Sequence, residues 1–555
     1  MALKSFLKKL GPGLVTGAAD DDPSGIATYS QAGAAFGPVL LWTMVLTYPL
    51  MSAVQLISAR VGRVTGRGLA WNLRRVMPRW VVMILVGLLF VANTINIGAD
   101  LAAMGAAAQL VAGGGGHFFT IGFAIVSLLL QLFIPYRKYS SFLKWLTMVL
   151  LAYVALIFIV KVDWAAALRG MVVPTIPGVA AVTVIVAIFG TTISPYLFFW
   201  QASQEVEELD VVEEREPLKK SPGQATDAIV RMRYDTFVGM AISNLVAIAI
   251  MLGTAATLHA SGKTDIQTAA DAAKALEPIA GHFAFALFSL GIIGTGMLAV
   301  PVLAGSAAYA IGETVGSETG LELEPHQAKL FYAVIGVAMA LGVAIDWSPI
   351  SPIKALFWSA VINGVVAVPI LIGTMLVVSK RSTMGDFTAS KTLKIFGWAT
   401  TVVMAAAVIG MAVLPASYRA WERNGGGDGL ADRSDRARRR HRHDMAILRP
   451  CIVAAALWHP LHPYRRTADL LEPHAARHFR GDRGGVEHQP GDDRQGAVPA
   501  DFGRDAPARR AASFAGHGDG AFEPAGAIHQ GASGRTGPRW QGRSRGAAVE
   551  PSQRR

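Results

Sequence analysis

Apolar stretches of roughly 20 residues, separated by short polar connections, recur from the start of the chain to near residue 416. A helix needs about 20 residues to cross the hydrocarbon core of a bilayer. Val39 to Ile57 and Thr236 to Leu258 reach this length, or come close to it, without a charged residue. Windows of this kind predict eleven membrane-spanning helices, at 11–35, 38–59, 80–110, 118–135, 142–162, 178–203, 234–258, 280–312, 328–345, 353–379 and 393–416.

The composition supports a chain that is embedded in lipid. Of the 555 residues, 52% are hydrophobic and only 16% are charged, whereas about 25% are charged in soluble domains. The single cysteine, Cys451, excludes a disulfide framework and a cysteine-based metal site within the chain. The net charge of +12 would suggest nucleic-acid binding in a soluble protein, but the basic residues lie mostly in short connections and in residues 421–555. We therefore expect the lipid bilayer as a partner and no nucleic acid; the oligomeric state stays open.

The distribution of Lys and Arg predicts the orientation of the chain. Alternate connections are rich in basic residues, such as Arg60, Arg63 and Arg74, and the opposite connections carry only Lys161, Arg169, Lys263, Lys274 and Lys354. Cytoplasmic loops are enriched in Lys and Arg. The N-terminus is therefore predicted to be cytoplasmic, in a multi-pass protein of the inner (cytoplasmic) membrane.

The composition changes abruptly near Asn424. Beyond it the chain is rich in Arg, Gly, Ala and Pro, has no lysine, and holds nine of the thirteen histidines. We divide the chain into a transmembrane domain, 1–420, and a tail, 421–555. The tail is interpreted as a disordered extension, as the product of a shifted or read-through coding frame, or as a segment whose His and Arg residues bind metal or nucleic acid. No function is assigned to it.

The first apolar segment contains three carboxylates and a proline, Asp20-Asp21-Asp22-Pro23, followed by Ser24 and Gly25. Charged side chains within a spanning helix are costly unless they face a cavity, a partner or an ion. Proline removes an amide donor, so carbonyls near Ala19 become free to face a cation where the helix breaks. The alternative is a short interfacial segment whose aspartates cap a helix in water.

The sixth apolar segment carries a second interruption, from Phe189 to Tyr196. Pro195 frees a carbonyl near Thr191, and Ser194 adds a hydroxyl that can complete an oxygen site. A simple proline kink is the alternative for this segment taken alone. Two breaks five segments apart, however, are typical of two inverted repeats whose matching helices are both interrupted at a binding site.

The candidate ligands at the breaks are hard oxygen donors. They are Asp20, Asp21, Asp22, the Ala19 carbonyl, Thr191 and Ser194. Neither segment carries Cys, His or Met at its break, so the ligands suit Mg²⁺, Mn²⁺ or Ca²⁺ better than a thiophilic metal. The expected function is secondary transport of a divalent cation, with the ion as substrate and no permanently bound cofactor.

Over roughly residues 10–416 the sequence resembles the natural resistance-associated macrophage protein (NRAMP) family of metal transporters. The resemblance rests on Gly11-Pro-Gly, Asp22-Pro23, the stretch from Ala27 to Gly33, Asp100, and the break from Gly190 to Pro195. It implies an all-α, LeuT-like inverted-repeat fold of eleven or twelve helices with broken helices 1 and 6. It also implies metal uptake toward the cytoplasm, coupled to protons in most members.

The sequence departs from the family pattern at the breaks themselves. Ser24-Gly25 stands where the family has glycine and asparagine, Ser194 stands for its methionine, Tyr196 for its histidine, and Ala103 for an acid. Losing the thioether removes the soft ligand that favours Mn²⁺ or Fe²⁺. The pattern is similar to the NRAMP-related branch that carries Mg²⁺ as well as Mn²⁺. A proton-coupled Mn²⁺/Fe²⁺ symporter remains an alternative.

Three further polar residues are predicted to line the cavity or to take part in coupling: Gln31, Asp100 and Asn363, together with Tyr196. A hydrogen bond from Asp100 to Asn93 or Asn96 is the structural alternative for Asp100, and interhelical hydrogen bonds are the default for Asn363.

Two other functions compete with metal transport. A LeuT-like carrier of an organic solute shares the predicted fold, but three clustered aspartates disfavour a carboxylate-bearing substrate. An intramembrane hydrolase would need a second aspartate motif on a neighbouring helix, which the sequence lacks. The protein is therefore not expected to be an enzyme.

Overall fold

A computed structural model describes residues 12–135, 150–211 and 215–423, and within them the secondary structure is helical, without strands. The first ten helices are α1 (Pro12–Asp20), α2 (Pro23–Phe36), α3 (Trp42–Thr65), α4 (Leu69–Leu73), α5 (Arg79–Ala112), α6 (Gly116–Phe133), α7 (Leu151–Leu156), α8 (Trp164–Val172), α9 (Val179–Thr192) and α10 (Pro195–Val211). The others are α11 (Ala225–Thr254), α12 (Ala269–Ala273), α13 (Glu277–Ala280), α14 (Ala284–Val315), α15 (Lys329–Ile345), α16 (Pro352–Ser379), α17 (Arg381–Met384) and α18 (Lys391–Arg423).

Short helical turns complete the connections. A π-helical turn, Ala255–His259, extends α11, and 3₁₀ turns occur at Gly37–Leu40, Pro222–Gln224, Lys274–Leu276, Gly281–Phe283 and Gly385–Phe387. In the described residues, eight helical stretches are long and apolar enough to cross a membrane. The broken first segment and the 17-residue α15 fall below that length. The predicted number of eleven spans is therefore not fixed by helix length alone.

Several predicted segments differ from the helices observed; those at 38–59 and 178–203, for example, correspond to helices that end at Thr65 and Val211. Residues 142–149 of the predicted fifth span lie outside the described residues, and the remainder holds only the short α7 before the chain reaches α8. The predicted segment at 234–258 starts too late, because α11 begins at Ala225. The first turns of α11 are helical but polar, and they lie outside the apolar window. They carry Arg231, which forms ion pairs with Glu205 and Glu208 of α10.

Both predicted breaks are present. The first segment divides into α1 and α2 at Asp21-Asp22, and the sixth divides into α9 and α10 at Ile193-Ser194. Each second half begins with a proline, Pro23 or Pro195. Proline is favoured at the first position of a helix because its fixed φ fits there and its missing amide hydrogen is not needed. The same residues therefore end one half-helix and start the next.

Glycines allow the half-helices to pack closely against their neighbours. A Cβ at Gly17 of α1 would lie 2.4 Å from the carbonyl oxygen of Gly239 in α11, and one at Gly190 of α9 would lie 1.9 Å from that of Ala360 in α16. Small residues at such crossings let helix backbones approach without a side chain between them. The two breaks are thereby held inside the helical bundle rather than at its surface.

The predicted tail, 421–555, lies outside the described residues from 424 onward. So do the basic residues 4, 8 and 9 that support the predicted orientation. The domain boundary and the cytoplasmic N-terminus therefore stay predictions.

Candidate cation site at the two helix breaks

Asp22 caps the second half of the first helix from within the protein. Its backbone is extended (φ −67°, ψ 169°), and its Oδ1 accepts hydrogen bonds from the Gly25 amide at 2.7 Å and the Ser24 hydroxyl at 2.6 Å. A carboxylate at this position also interacts favourably with the positive end of the helix dipole. Asp20, Asp21 and Asp22 are 0%, 4% and 0% exposed. The alternative of aspartates capping a helix in water is therefore wrong.

The other oxygen of Asp22 faces two neighbouring helices. Oδ2 accepts a hydrogen bond from the Asn96 amide of α5 at 3.0 Å and one from the Tyr196 hydroxyl of α10 at 3.3 Å. The same hydroxyl lies 3.2 Å from the Ala19 carbonyl oxygen, which accepts from it. Tyr196 thus joins the second break to a carboxylate and a carbonyl of the first.

Asp20 and Asp21 turn away from Asp22 toward α11. The Ser243 hydroxyl lies 2.6 Å from Asp20 Oδ2 and 3.2 Å from Asp21 Oδ1, so the two carboxylates share one donor. Asp20 Oδ1 is buried and has no hydrogen-bond partner among the described residues. The three consecutive aspartates therefore belong to two groups, with Asp22 separate from the Asp20–Asp21 pair.

The second break approaches the first at Gly25. A Cβ at Gly25 would lie 3.2 Å from both the Asp20 carbonyl oxygen and the Thr191 hydroxyl oxygen. The Ser194 hydroxyl is not free to bind an ion in this arrangement. It donates hydrogen bonds to the Gly190 carbonyl at 2.6 Å and the Thr191 carbonyl at 2.7 Å. Serine commonly satisfies carbonyls of the preceding turn in this way. The hydroxyl occupies the carbonyl region that Pro195 was expected to leave open.

Asp100 is buried on the same face of α5 as Asn96, one turn further along. Neither of its carboxylate oxygens has a hydrogen-bond partner among the described residues. Asn96 binds Asp22 instead, and the Asn93 amide donates to the Leu303 carbonyl and the Ser306 hydroxyl, both at 2.8 Å. The structural alternative for Asp100, a hydrogen bond to Asn93 or Asn96, is therefore wrong for this arrangement.

Two predicted cavity residues are not joined to the break by any hydrogen bond. The Gln31 side chain donates to the Thr264 carbonyl and accepts from the Ile266 amide, each at 3.0 Å, so it fixes the loop after α11. Asn363 of α16 is fully buried, but its amide nitrogen and oxygen have no hydrogen-bond partner among the described residues. The interhelical hydrogen bonds expected for Asn363 are not formed.

The hydrogen-bond partners of the break carboxylates are all neutral. They are hydroxyls, amides and one backbone N–H, from Ser24, Gly25, Asn96, Tyr196 and Ser243. A buried carboxylate without a counter-charge is unfavourable unless it is protonated or binds a cation. In residues 12–135, 150–211 and 215–423, however, no three His, Cys, Asp or Glu side chains form a ready-made ligand group. An ion at the breaks would need carbonyl, hydroxyl or water ligands beside the carboxylates.

Several residues near the breaks were not found from the sequence as site residues. The side-chain nitrogen of Asn96 donates to Asp22, and the Ser359 hydroxyl of α16 donates to Asn96 Oδ1 at 2.6 Å. Ser243 donates to the other two aspartates. The sulfur of Met104 and the ring of Pro23 both lie within 3.3 Å of the position of a Gly296 Cβ, so a thioether packs near the first break. The only sequence signal was the four-residue spacing of Asn96, Asp100 and Met104 along one helix face.

The sequence of the chain is similar to that of known proteins. A family model described as natural resistance-associated macrophage protein-like matches residues 13–414. Two curated relatives, each named divalent metal cation transporter MntH, come from Klebsiella pneumoniae strain 342 and strain ATCC 700721 / MGH 78578. Each is 26% identical over 414 residues, which cover 73% of this chain and 93% of the relative.

A solved structure resembles the described fold. The crystal structure of the Eremococcus coleocola manganese transporter, in complex with an aromatic bis-isothiourea substituted compound, superposes with a TM-score of 0.59 at 16% sequence identity. The match covers 74% of this chain and 87% of that one. A likeness at this identity shows the fold alone. It confirms the predicted all-α transporter fold with a LeuT-like inverted repeat and interrupted first and sixth helices.

Proposed function

The chain belongs to the natural resistance-associated macrophage protein-like (NRAMP) family, and on this basis we propose that it imports a divalent metal cation, Mg²⁺ or Mn²⁺, through the break in its first helix. The direction of transport is from outside to the cytoplasm, across the inner membrane, with the N-terminus inside. The two relatives named as divalent metal cation transporters support a metal as the substrate.

One observation carries the proposal: the carboxylates at the first break are buried and have only neutral hydrogen-bond partners. Their charge is uncompensated unless protons or a cation are bound, and a divalent ion would neutralise two carboxylates at once. Asp22 is the principal ligand proposed, with the Ala19 carbonyl beside it, since one hydroxyl contacts both.

The remaining ligands are proposed from their place around Gly25. The Thr191 hydroxyl and the Asp20 carbonyl oxygen both lie 3.2 Å from the position of a Gly25 Cβ, and the Asp20 and Asp21 carboxylates share the Ser243 hydroxyl. Ser194 becomes a ligand of the ion once its hydroxyl has given up its hydrogen bonds to the Gly190 and Thr191 carbonyls. In the described arrangement the Tyr196 hydroxyl contacts the oxygens that the ion would bind, so metal binding displaces it.

The ligand chemistry favours hard ions. Carboxylates, carbonyls and hydroxyls are the donors that Mg²⁺, Mn²⁺ and Ca²⁺ prefer, and Mg²⁺ keeps several waters when it binds. The Met104 sulfur and a ring atom of Pro23 lie 2.4 Å and 3.3 Å from the position of a Gly296 Cβ, so this thioether lies near the first break.

Uptake into proteoliposomes tests the proposal. We expect Mg²⁺ or Mn²⁺ to accumulate with the wild-type protein and uptake to fall at least tenfold with Asp22→Ala. The matched control is Asp386→Ala, because the Asp386 side chain is 85% exposed and lies in a surface ion pair. Equal uptake by Asp22→Ala and wild type would overturn the site, and no flux of Mg²⁺, Mn²⁺ or Ca²⁺ would overturn the function.

Asp100 supports a second candidate, a proton-coupled Mn²⁺/Fe²⁺ symporter. Its buried carboxylate lacks any hydrogen-bond partner among the described residues, so it is placed to bind and release a proton. A pH indicator inside the same vesicles separates the two candidates. Acidification that follows metal entry, and that is lost in Asp100→Asn, would establish coupling, whereas metal entry without a pH change would exclude it.

A further inference from the structure

A cavity of about 330 Å³ lies between α5 and the connection from α15 to α16. Its wall on α5 consists of Gly98, Ala99 and Ala102, which lie two to six residues beyond Asn96. The opposite wall is the connection between α15 and α16. Its lining there is Ile345, Asp346, Ser348, Pro349, Ile350, Ser351, Pro352 and Ala355, and His117 closes the rim.

His117 and Asp346 form a hydrogen-bonded pair at this rim. The distance from His117 Nδ1 to Asp346 Oδ2 is 2.6 Å; the histidine side chain is 59% exposed and the aspartate side chain 7%. The imidazole also stacks on Trp347, with the ring centroids 5.8 Å apart and the planes 5° from parallel. One buried carboxylate and one aromatic ring therefore fix the orientation of the imidazole.

This arrangement leaves one nitrogen of the ring available. Because the Asp346 carboxylate accepts, the proton is assigned to Nδ1, and Nε2 keeps its lone pair. Histidines that bind metals usually donate their other ring N–H to a carboxylate in this way, which sets the tautomer and raises the basicity of the ligand nitrogen. The cavity also has room for an ion with several of its waters, each of which takes about 30 Å³ in the liquid.

The ligand type selects a class of ion. An imidazole nitrogen binds first-row transition ions, with affinity rising from Mn²⁺ toward Ni²⁺, whereas Mg²⁺ and Ca²⁺ prefer oxygen. We propose that His117 is an outer capture site for first-row divalent transition-metal ions, with Nε2 as the protein ligand, Asp346 as the orienting carboxylate and water in the remaining positions. This site goes beyond the proposed function, because it uses none of the residues at the helix breaks.

Such a site adds a preference that the break lacks. The oxygen ligands of the break distinguish poorly between Mn²⁺ and Mg²⁺, and the capture site favours Mn²⁺ over Mg²⁺ before either ion reaches Asp22. His117 and Asp346 lie on the side of the bundle where α5 and α15 end, which is the outer side in the predicted orientation. His326 lies on the opposite side, after α14 and before α15.

Chemical protection tests the site at residue level. Diethyl pyrocarbonate modifies unprotonated imidazole nitrogens, and peptide mapping by mass spectrometry reports each histidine separately, including the nine in the tail. In the purified full-length protein at constant pH, we expect Ni²⁺ and, at higher concentration, Mn²⁺ to slow modification of His117 at least fivefold, and Mg²⁺ to leave it unchanged. His326 is the internal control, since its side chain and that of Glu324 are both about 70% exposed.

Two variants complete the test. In Asp346→Asn, protection of His117 should need about tenfold more metal, because loss of an outer-sphere carboxylate typically costs 10–100-fold in affinity. In Asp22→Ala, protection should persist, and this outcome separates the capture site from the proposed function. The proposal fails if metal leaves His117 modification unchanged, if Mg²⁺ protects equally, if His326 is protected to the same extent, or if Asp22→Ala abolishes protection.

Discussion

At the residue scale, Gly25 lies next to atoms of both helix breaks. A Cβ in Gly25→Ala would lie 3.2 Å from the Asp20 carbonyl oxygen and from the Thr191 hydroxyl, so one of the two must move by a few tenths of an ångström. Because both oxygens are proposed to surround the ion, we expect metal affinity to fall about tenfold, or about 1.4 kcal/mol. Uptake measured over a range of metal concentrations reports this change.

Gly87→Ala is the matched control for this substitution. Gly87 lies within α5, and a Cβ there would have nothing within 4 Å. It should keep wild-type affinity, and its helix should gain slightly in stability. If Gly25→Ala and Gly87→Ala behave alike, the space around Gly25 does not belong to the ion-binding region.

The Tyr196 hydroxyl is proposed to occupy the position of the ion when no metal is bound. Tyr196→Phe removes the donor to Asp22 Oδ2 and the Ala19 carbonyl, so the free energy of unfolding of the metal-free protein should fall by about 1 kcal/mol. The metal-bound protein loses nothing, since the ion already displaces the hydroxyl. Thermal unfolding with and without Mn²⁺ should therefore show a larger metal-induced rise in Tm for the variant.

Tyr153→Phe controls for loss of a buried hydroxyl in general, because the Tyr153 hydroxyl has no hydrogen-bond partner among the described residues. Its metal-induced rise in Tm should equal that of the wild type. An identical rise in Tyr196→Phe would show that the hydroxyl and the ion do not compete.

The sequence was sufficient to locate the first helix break at Asp22 and Pro23. The free-energy cost of placing these residues in an apolar segment can be read from that segment alone. The sequence did not reveal the hydrogen-bond partners of the aspartates. Asn96 is 74 positions from Asp22, and Ser243 is 222 positions from Asp21. No local pattern encodes such contacts. The direction of the Ser194 hydroxyl was also missed, because a serine hydroxyl commonly donates to the carbonyls three and four residues before it.

At the element scale, α10 and α11 are held together by buried charge. Arg231 binds Glu205 at 2.7 Å and Glu208 at 2.8 Å, and the Glu205 side chain is fully buried. In Glu205→Gln, Arg231 loses one of the two carboxylates with which it forms ion pairs, in a mostly buried position. We expect the free energy of unfolding to fall by roughly 2 kcal/mol, because loss of a charged hydrogen-bond partner in the interior costs more than at the surface. Chemical unfolding in detergent measures it.

The comparison variant is Asp386→Asn. The Arg381–Asp386 pair has the same chemistry, with an N–O distance of 2.9 Å, but both side chains are more than 80% exposed. Exposed pairs typically contribute less than about 1 kcal/mol. A loss of stability in Asp386→Asn as large as in Glu205→Gln would mean that burial does not set the strength of the α10–α11 contact.

The bounds of a helix were predicted correctly where they coincide with the ends of an apolar stretch. They were missed where the helix continues through charged residues that form ion pairs with another helix. The predicted segments at 80–110 and 353–379 match α5 and α16 to within about two residues, inside the usual uncertainty of helix ends. The start of α11 was missed by nine residues, because Arg231 and Arg233 ended the apolar window there. The ion pair between Arg231 and Glu205 is a tertiary contact, and the hydropathy of the sequence does not reveal it.

At the scale of the whole molecule, the transporter is expected to function without the tail. The family match ends at residue 414 and α18 ends at Arg423. A chain that stops after Arg423 should show the same uptake rate per molecule and the same Tm as the full chain. Loss of uptake with correct membrane insertion would assign the tail a function and contradict the predicted division at residue 420.

The Gly17–Gly239 contact joins α1 and α11 through main-chain atoms. No side-chain rotamers are therefore frozen at this point when the helices touch. The Gly13 amide of the same half-helix donates to the Asp235 carboxylate at 2.6 Å. The entropic cost of ordering α1 against α11 is therefore smaller at this crossing than for a contact between long side chains.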